Sequence, residues 1–142
     1  MGRVLLGLLI LLGACSLDLA APGEGASLEF AARAAQHGQW LEQPIVQATG
    51  ESGRIVVNAK LSAADPCHTL AGVLEGTGSE LTLRVSVARD QSQGCYQIIG
   101  TFEYDAVIRD LAPGSYRLRV IHSYAECCWP TVTALDHTLQ VQ

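Results

Sequence analysis

Leu111-Ala112-Pro113-Gly114-Ser115-Tyr116-Arg117-Leu118-Arg119-Val120 is the stretch on which the fold turns. Leu111 is placed to anchor a turn in a core. Pro113 fixes φ near −65°, and Gly114 is expected to take a conformation that other residues resist. Tyr116, Leu118, Val120 and His122 then alternate with Arg117, Arg119 and Ile121, the period-two pattern of a strand with one buried face. On that face the Tyr116 ring is expected to be buried, with its hydroxyl on a backbone group.

The same alternation recurs on either side. Ile55, Val57, Ala59 and Leu61 alternate with Val56, Asn58 and Lys60. A shorter strand is predicted over 70–75. After the turn Gly76-Thr77-Gly78-Ser79, Leu81, Leu83, Val85 and Val87 alternate with Thr82, Arg84, Ser86 and Ala88. Residues 90–94 read as a turn. A further strand is predicted over 95–104, with Tyr96, Ile98 and Phe102 on one face, a short one begins at Val107-Ile108, and 131–141 supplies the last. Six or seven short strands separated by turn-forming residues make an all-β domain, a β-sandwich over residues 51–142.

The Leu111–Tyr116 turn with Leu118 and Val120 resembles the Leu-Pro-x-Gly-x-Tyr turn of prealbumin-like and carboxypeptidase-regulatory-like sandwich domains. It is also similar to the tyrosine corner of immunoglobulin-like (Ig-like) fibronectin type III domains, with one residue less before the tyrosine. The resemblance implies an Ig-like or prealbumin-like β-sandwich and carries no function, since such sandwiches host many unrelated roles.

The chain begins with Arg3 and an apolar run over 4–12 that ends in Leu12-Gly13-Ala14-Cys15. The run has the length of a secretory signal and is shorter than the roughly 20 residues that span a bilayer. Its last four residues resemble a bacterial lipobox. That implies removal of a lipoprotein signal peptide, 1–14, and lipidation of Cys15, a membrane anchor worth about 0.8 kcal/mol per buried methylene. Ser16 in place of an aspartate implies, by resemblance to enterobacterial lipoproteins, the outer membrane of a bacterial cell envelope. Residues 15–50 are expected to form the lipidated N-terminus and a tether, with a short helix over 28–38 from the spacing of Leu28, Ala31, Ala32 and Ala35.

Nine Lys and Arg against fourteen Asp and Glu give a net charge of −5, which argues against a nucleic-acid partner. With Cys15 lipidated, Cys67, Cys95, Cys127 and Cys128 remain, and an even number in an exported chain points to disulfides. Three pairings are open, of which Cys67–Cys95 is preferred. It poses a geometric test, because a flat meander would hold the two about 9–10 Å apart, whereas a disulfide requires Cα atoms within about 7 Å. Either the strand after Cys67 crosses to the opposite sheet, or both cysteines sit in inward-bending loops. Cys127-Cys128 fits a vicinal disulfide, rearranged pairing with Cys67 or Cys95, or a bond to another chain.

A soft metal site from Cys127, Cys128, His122 and His68 is disfavoured, since adjacent cysteines in an extended chain point in opposite directions. His37 and His137 complete four dispersed histidines. Ser123, His122 and Asp136 could be drawn as a triad, but no Gly-x-Ser-x-Gly or His-Glu-x-x-His stands in the chain, so no enzyme and no cofactor are expected. Arg84, Arg117 and Arg119 fall outward and form a small basic patch if their strands are neighbours, with Glu103 or Asp105 as expected partners. The expected role is non-catalytic binding or scaffolding at the envelope. The alternative is inhibition of an exported protease through the loop Ala125–Pro130, in which Cys127, Cys128, Trp129 and Pro130 are the candidate contact residues.

Overall fold

The computed structural model describes residues 25–142 except 38, 39, 93 and 126–128, and of 34–37 the backbone alone. The described residues form eight strands and no helix: β1 Ser27–His37, β2 Ile45–Glu51, β3 Arg54–Ala63, β4 His68–Thr77, β5 Glu80–Arg89, β6 Gly100–Arg109, β7 Gly114–Tyr124 and β8 Val132–Val141. They build two four-stranded sheets, β1-β6-β3-β2 and β4-β5-β7-β8, packed as a β-sandwich. All pairs are antiparallel except β5 with β7, which run parallel because β6 between them belongs to the other sheet.

The core follows from the alternation. Ile55, Val57 and Leu61 of β3, Leu81, Leu83, Val85 and Val87 of β5, Phe102, Tyr104, Ala106 and Ile108 of β6, and Tyr116, Leu118 and Val120 of β7 are buried. Their outward neighbours are polar or half-buried. The two sheets also meet along their edges. Gly50 of β2 lies so close to the Gln140 carbonyl of β8 that a Cβ would collide with it. Beyond it the Gln142 N–H donates to Glu51 O (3.2 Å), Gln142 O accepts from Gly53 N (3.0 Å), and the Leu111 N–H reaches Gly53 O (3.1 Å).

The expected helix over 28–38 is strand β1. Ala26, Leu28 and Phe30 pack on the core at a spacing of two, and the alanines that also fitted a helical face fit a strand equally well. The sandwich therefore begins at Ser27 rather than at 51, and β1 and β2 supply the two strands missing from the expected count. The strands expected over 95–104 and from Val107 are one strand, β6. Its start at Gly100 leaves Tyr96 and Ile98 in the preceding loop, exposed at 80% and 42%.

The Leu111–Tyr116 turn differs from expectation at one residue. Its left-handed position is Asp110 (φ 62°), not Gly114. Aspartate tolerates that region better than most residues, and Asp110 Oδ2 accepts a 2.6 Å hydrogen bond from Ser27 Oγ. Tyr116 is fully buried, and its hydroxyl donates to Ala112 O at 2.9 Å.

Candidate functional site

Strand directions sort the connections into two ends. The segments 37–45, 63–68, 89–100 and 124–132 gather at one, and 51–54, 77–80 and 109–114 at the other. The first end carries the disulfide and the aromatic residues. Cys67, just before β4, bonds Cys95 in the β5–β6 crossover, with Cα atoms 6.0 Å apart. Both conditions of the geometric test are met: β4 and β6 lie in opposite sheets, and both cysteines sit in loops.

Asp65 organises this end. Buried between β3 and β4, it accepts from the Cys67 N–H (2.9 Å), from His68 Nδ1 (3.0 Å) and from Arg89 Nε (3.1 Å). His68 Nδ1 also faces Asp65 O at 3.0 Å, so that nitrogen carries the proton toward two acceptors. A buried carboxylate is stable only with such partners. The result is a bonded knot that holds the β3–β4 connection, the end of β5 and the crossover in one arrangement.

Beside the knot stands a row of rings. Trp129 meets Trp40 edge to face, centroids 4.7 Å apart, and Tyr124 at 5.0 Å with planes tilted by 46°. Ser62 pins the row from below: its Oγ accepts from the Leu41 N–H (3.0 Å) and its carbonyl from the Tyr124 hydroxyl (3.2 Å). Burial raises the affinity of the Tyr124 phenol for its proton, which keeps it a donor. Edge-to-face and tilted contacts are the favoured geometries for aromatic pairs, so the row is preorganised. Trp40 nevertheless stays 49% exposed.

Tyr124 and Trp129 form a shared wall between two cavities. One, of about 240 Å³, is lined on its far side by Asp65, His68, Arg89 and Gln97. The other, of about 300 Å³, is lined by Trp40, Leu41, Pro44, Pro130 and Val132, with Glu42 and Ser62 at its margin. Two of the candidate loop residues, Trp129 and Pro130, thus contribute to the site. Cys127 and Cys128 lie outside the described residues, as do Cys15 and the signal segment. Trp40, Tyr124, Asp65 and Arg89 were not singled out in the sequence as site residues, and His68 entered only as a ligand of the disfavoured metal site. Their only signal there was position, each within a few residues of a strand end.

The other candidate constellations do not assemble. His122 is fully buried in the core, where its Nε2 lies 2.8 Å from the Tyr104 hydroxyl, so it joins neither a metal site nor a triad at the surface. Asp136 is held by Arg117, and Ser123 lies on the opposite face of β7 from His122. Asp65, Cys67 and Cys95 bring three donor atoms within 4.8 Å of one another, but the disulfide consumes both sulfurs. Arg84 and Arg117 do stand on neighbouring strands, and each is bound by a carboxylate of its own sheet, Glu75 and Asp136 respectively. The expected partners, Glu103 and Asp105, lie on the other sheet and hold Lys60 and Arg33.

Comparison of the chain with protein-family models, with curated proteins and with solved structures found no match.

Proposed function

We propose that this is a lipid-anchored protein of the bacterial cell envelope, held through Cys15 at the outer membrane, that binds a partner non-catalytically through the loop end of its sandwich. The observation that carries the reading is the opposition of two ends. Ser27 enters β1 opposite Arg109, beside the Asp110–Pro113 turn, whereas Trp40, Tyr96, Trp129, both cavities and the disulfide occupy the far end. Segment 15–26 reaches at most about 40 Å from a bilayer, and a ten-residue strand adds about 33 Å. An anchor on Cys15 therefore presents the aromatic end outward and leaves it unobstructed.

The chemistry of that end supports binding rather than turnover. Its buried acid, Asp65, is tied to His68 and Arg89, and its open surface is aromatic, the composition of binding hot spots. The test is a photo-cross-linking amino acid placed at Trp40 or Tyr96 in cells, with Ser52 at the opposite end as control. The expected result is a discrete adduct from the loop end alone. Equal labelling from both ends, or none from either, overturns the reading.

A further inference from the structure

We propose that the twin cavities flanking Tyr124 and Trp129 are two adjacent subsites for consecutive rings of a neutral glycan. The inference rests on the binding role assigned above and adds its ligand class. Each cavity, at about 240 and 300 Å³, sits at the lower limit of small-ligand pockets and takes one ring-sized group. They share a wall made of two aromatic rings, so a ligand that fills both consists of two rings joined across that wall.

Charge decides the class. The fixed charges of the polar cavity cancel, because Arg89 is salt-bridged to Asp65 at 3.1 Å. A cationic ligand would compete with Arg89 for Asp65, and an anionic one with Asp65 for Arg89, each inside a chain of net charge −5. A neutral ligand with an apolar face and polar rim suits both halves of the site. C–H faces of a sugar ring stack on Trp129 and Tyr124, and ring hydroxyls meet Gln97 and the outer edge of the Asp65–Arg89 pair on one side and Glu42 on the other. A peptide added as an extra strand would need a run of open ladder, and of the lining residues only His68 and Val132, the first residues of β4 and β8, belong to edge strands. The rigidity of the ring row and of the knot lowers the ordering cost of binding.

The experiment uses protein purified from its own membrane in a non-glycosidic detergent, titrated calorimetrically and by tryptophan emission with the β-1,4 tetramers of N-acetylglucosamine and of glucose. One tetramer is expected to bind per chain, with a change in tryptophan emission and about tenfold tighter than the matching monosaccharide. Trp129→Ala should weaken binding by at least about tenfold and the exposed Gln97→Ala by several-fold, while Ser52→Ala, at the opposite end of the sandwich, leaves it unchanged. Thermal melts of each variant establish that the sandwich persists, and Gln97→Ala carries the test should Trp129→Ala unfold. Absence of binding by either tetramer at millimolar concentration, or binding indifferent to both cavity variants, overturns the proposal. If the loop-end cross-linker then captures a protein, the glycan is wrong and the binding role survives. If it captures nothing, both fall.

Discussion

Tyr104 and His122 meet in the middle of the core, one from each sheet, with the phenolic oxygen 2.8 Å from the imidazole Nε2 and the rings nearly perpendicular. Among the described residues, His122 Nδ1 has no hydrogen-bond partner. Burial pushes the imidazole down to about 4 and the Tyr104 phenol well up, so both stay neutral at physiological pH.

This pair makes stability depend on pH in a defined window. Between about 6.5 and 4 the unfolded chain takes up a proton that folded His122 refuses. Stability is therefore full above pH 6.5 and falls as the pH drops toward 4, by about 3 kcal/mol in all. Glu29, Asp105 and Asp136, whose arginine partners hold them below the usual carboxylate range, add their losses only at lower pH still. Urea midpoints measured from pH 7.5 to 4 should show the decline, and the double variant Tyr104→Phe/His122→Leu should flatten it. An unchanged slope in the double variant would assign the acid sensitivity elsewhere.

The turn that decides the fold permits a sharper test. Gly114→Ala should cost less than about 1 kcal/mol, because its φ is ordinary and an added Cβ finds its nearest neighbour, Tyr116, at 3.8 Å. Gly76→Ala should cost at least about 2 kcal/mol, since φ there is 105° and the Cβ would strike the Glu80 carbonyl. Tyr116→Phe removes the bond to Ala112 and should cost about 1 kcal/mol. Chemical denaturation of the three variants, ranked against the parent, checks the order.

Cys67 and Cys95 are 28 residues apart in sequence, and their bond closes a loop whose opening should cost about 3.5 kcal/mol in the chain-entropy model. Cys67→Ala/Cys95→Ala should lower the denaturation midpoint accordingly. It should also expose Gln97 and Arg89 to faster hydrogen exchange, because the crossover that carries the first loses its tie to the β3–β4 connection.

The proposed anchor has its own measurement. Intact mass spectrometry of protein from its native membrane should show a mature chain beginning at an acylated Cys15, and Cys15→Ser should move the protein out of the membrane fraction. An unmodified chain cut further along, near Ala21, would remove the anchor from the proposed function.

The sequence revealed β3, β5 and β7 because each buries at least four inward side chains in alternation. It concealed β1 and β2, of whose described side chains Leu28, Phe30, Val46 and Ala48 alone rest on the core, with Glu29 and Gln47 between them. In β1 the alanines satisfied a helical spacing as readily as an extended one, and only pairing with β6, some eighty residues away, selects the strand. The site was half legible for the same reason. Trp129 stood out as a loop aromatic, but its contacts with Trp40 and Tyr124 join the 37–45 and 124–132 connections, which only the topology brings to one end.

The position of β1 sets how the molecule bears force. Its first residue lies opposite Arg109 and its last at the loop end, and along its length it is paired antiparallel to β6, with Glu29–Arg109 and Arg33–Asp105 bridging the two strands. Under the proposed anchoring, tension between the N-terminus and a partner gripped at the far end runs along this ladder, not across it. The hydrogen bonds of β1 and β6 are then loaded in shear and must yield together instead of opening one by one like a zipper, which makes the first strand a mechanical fastening.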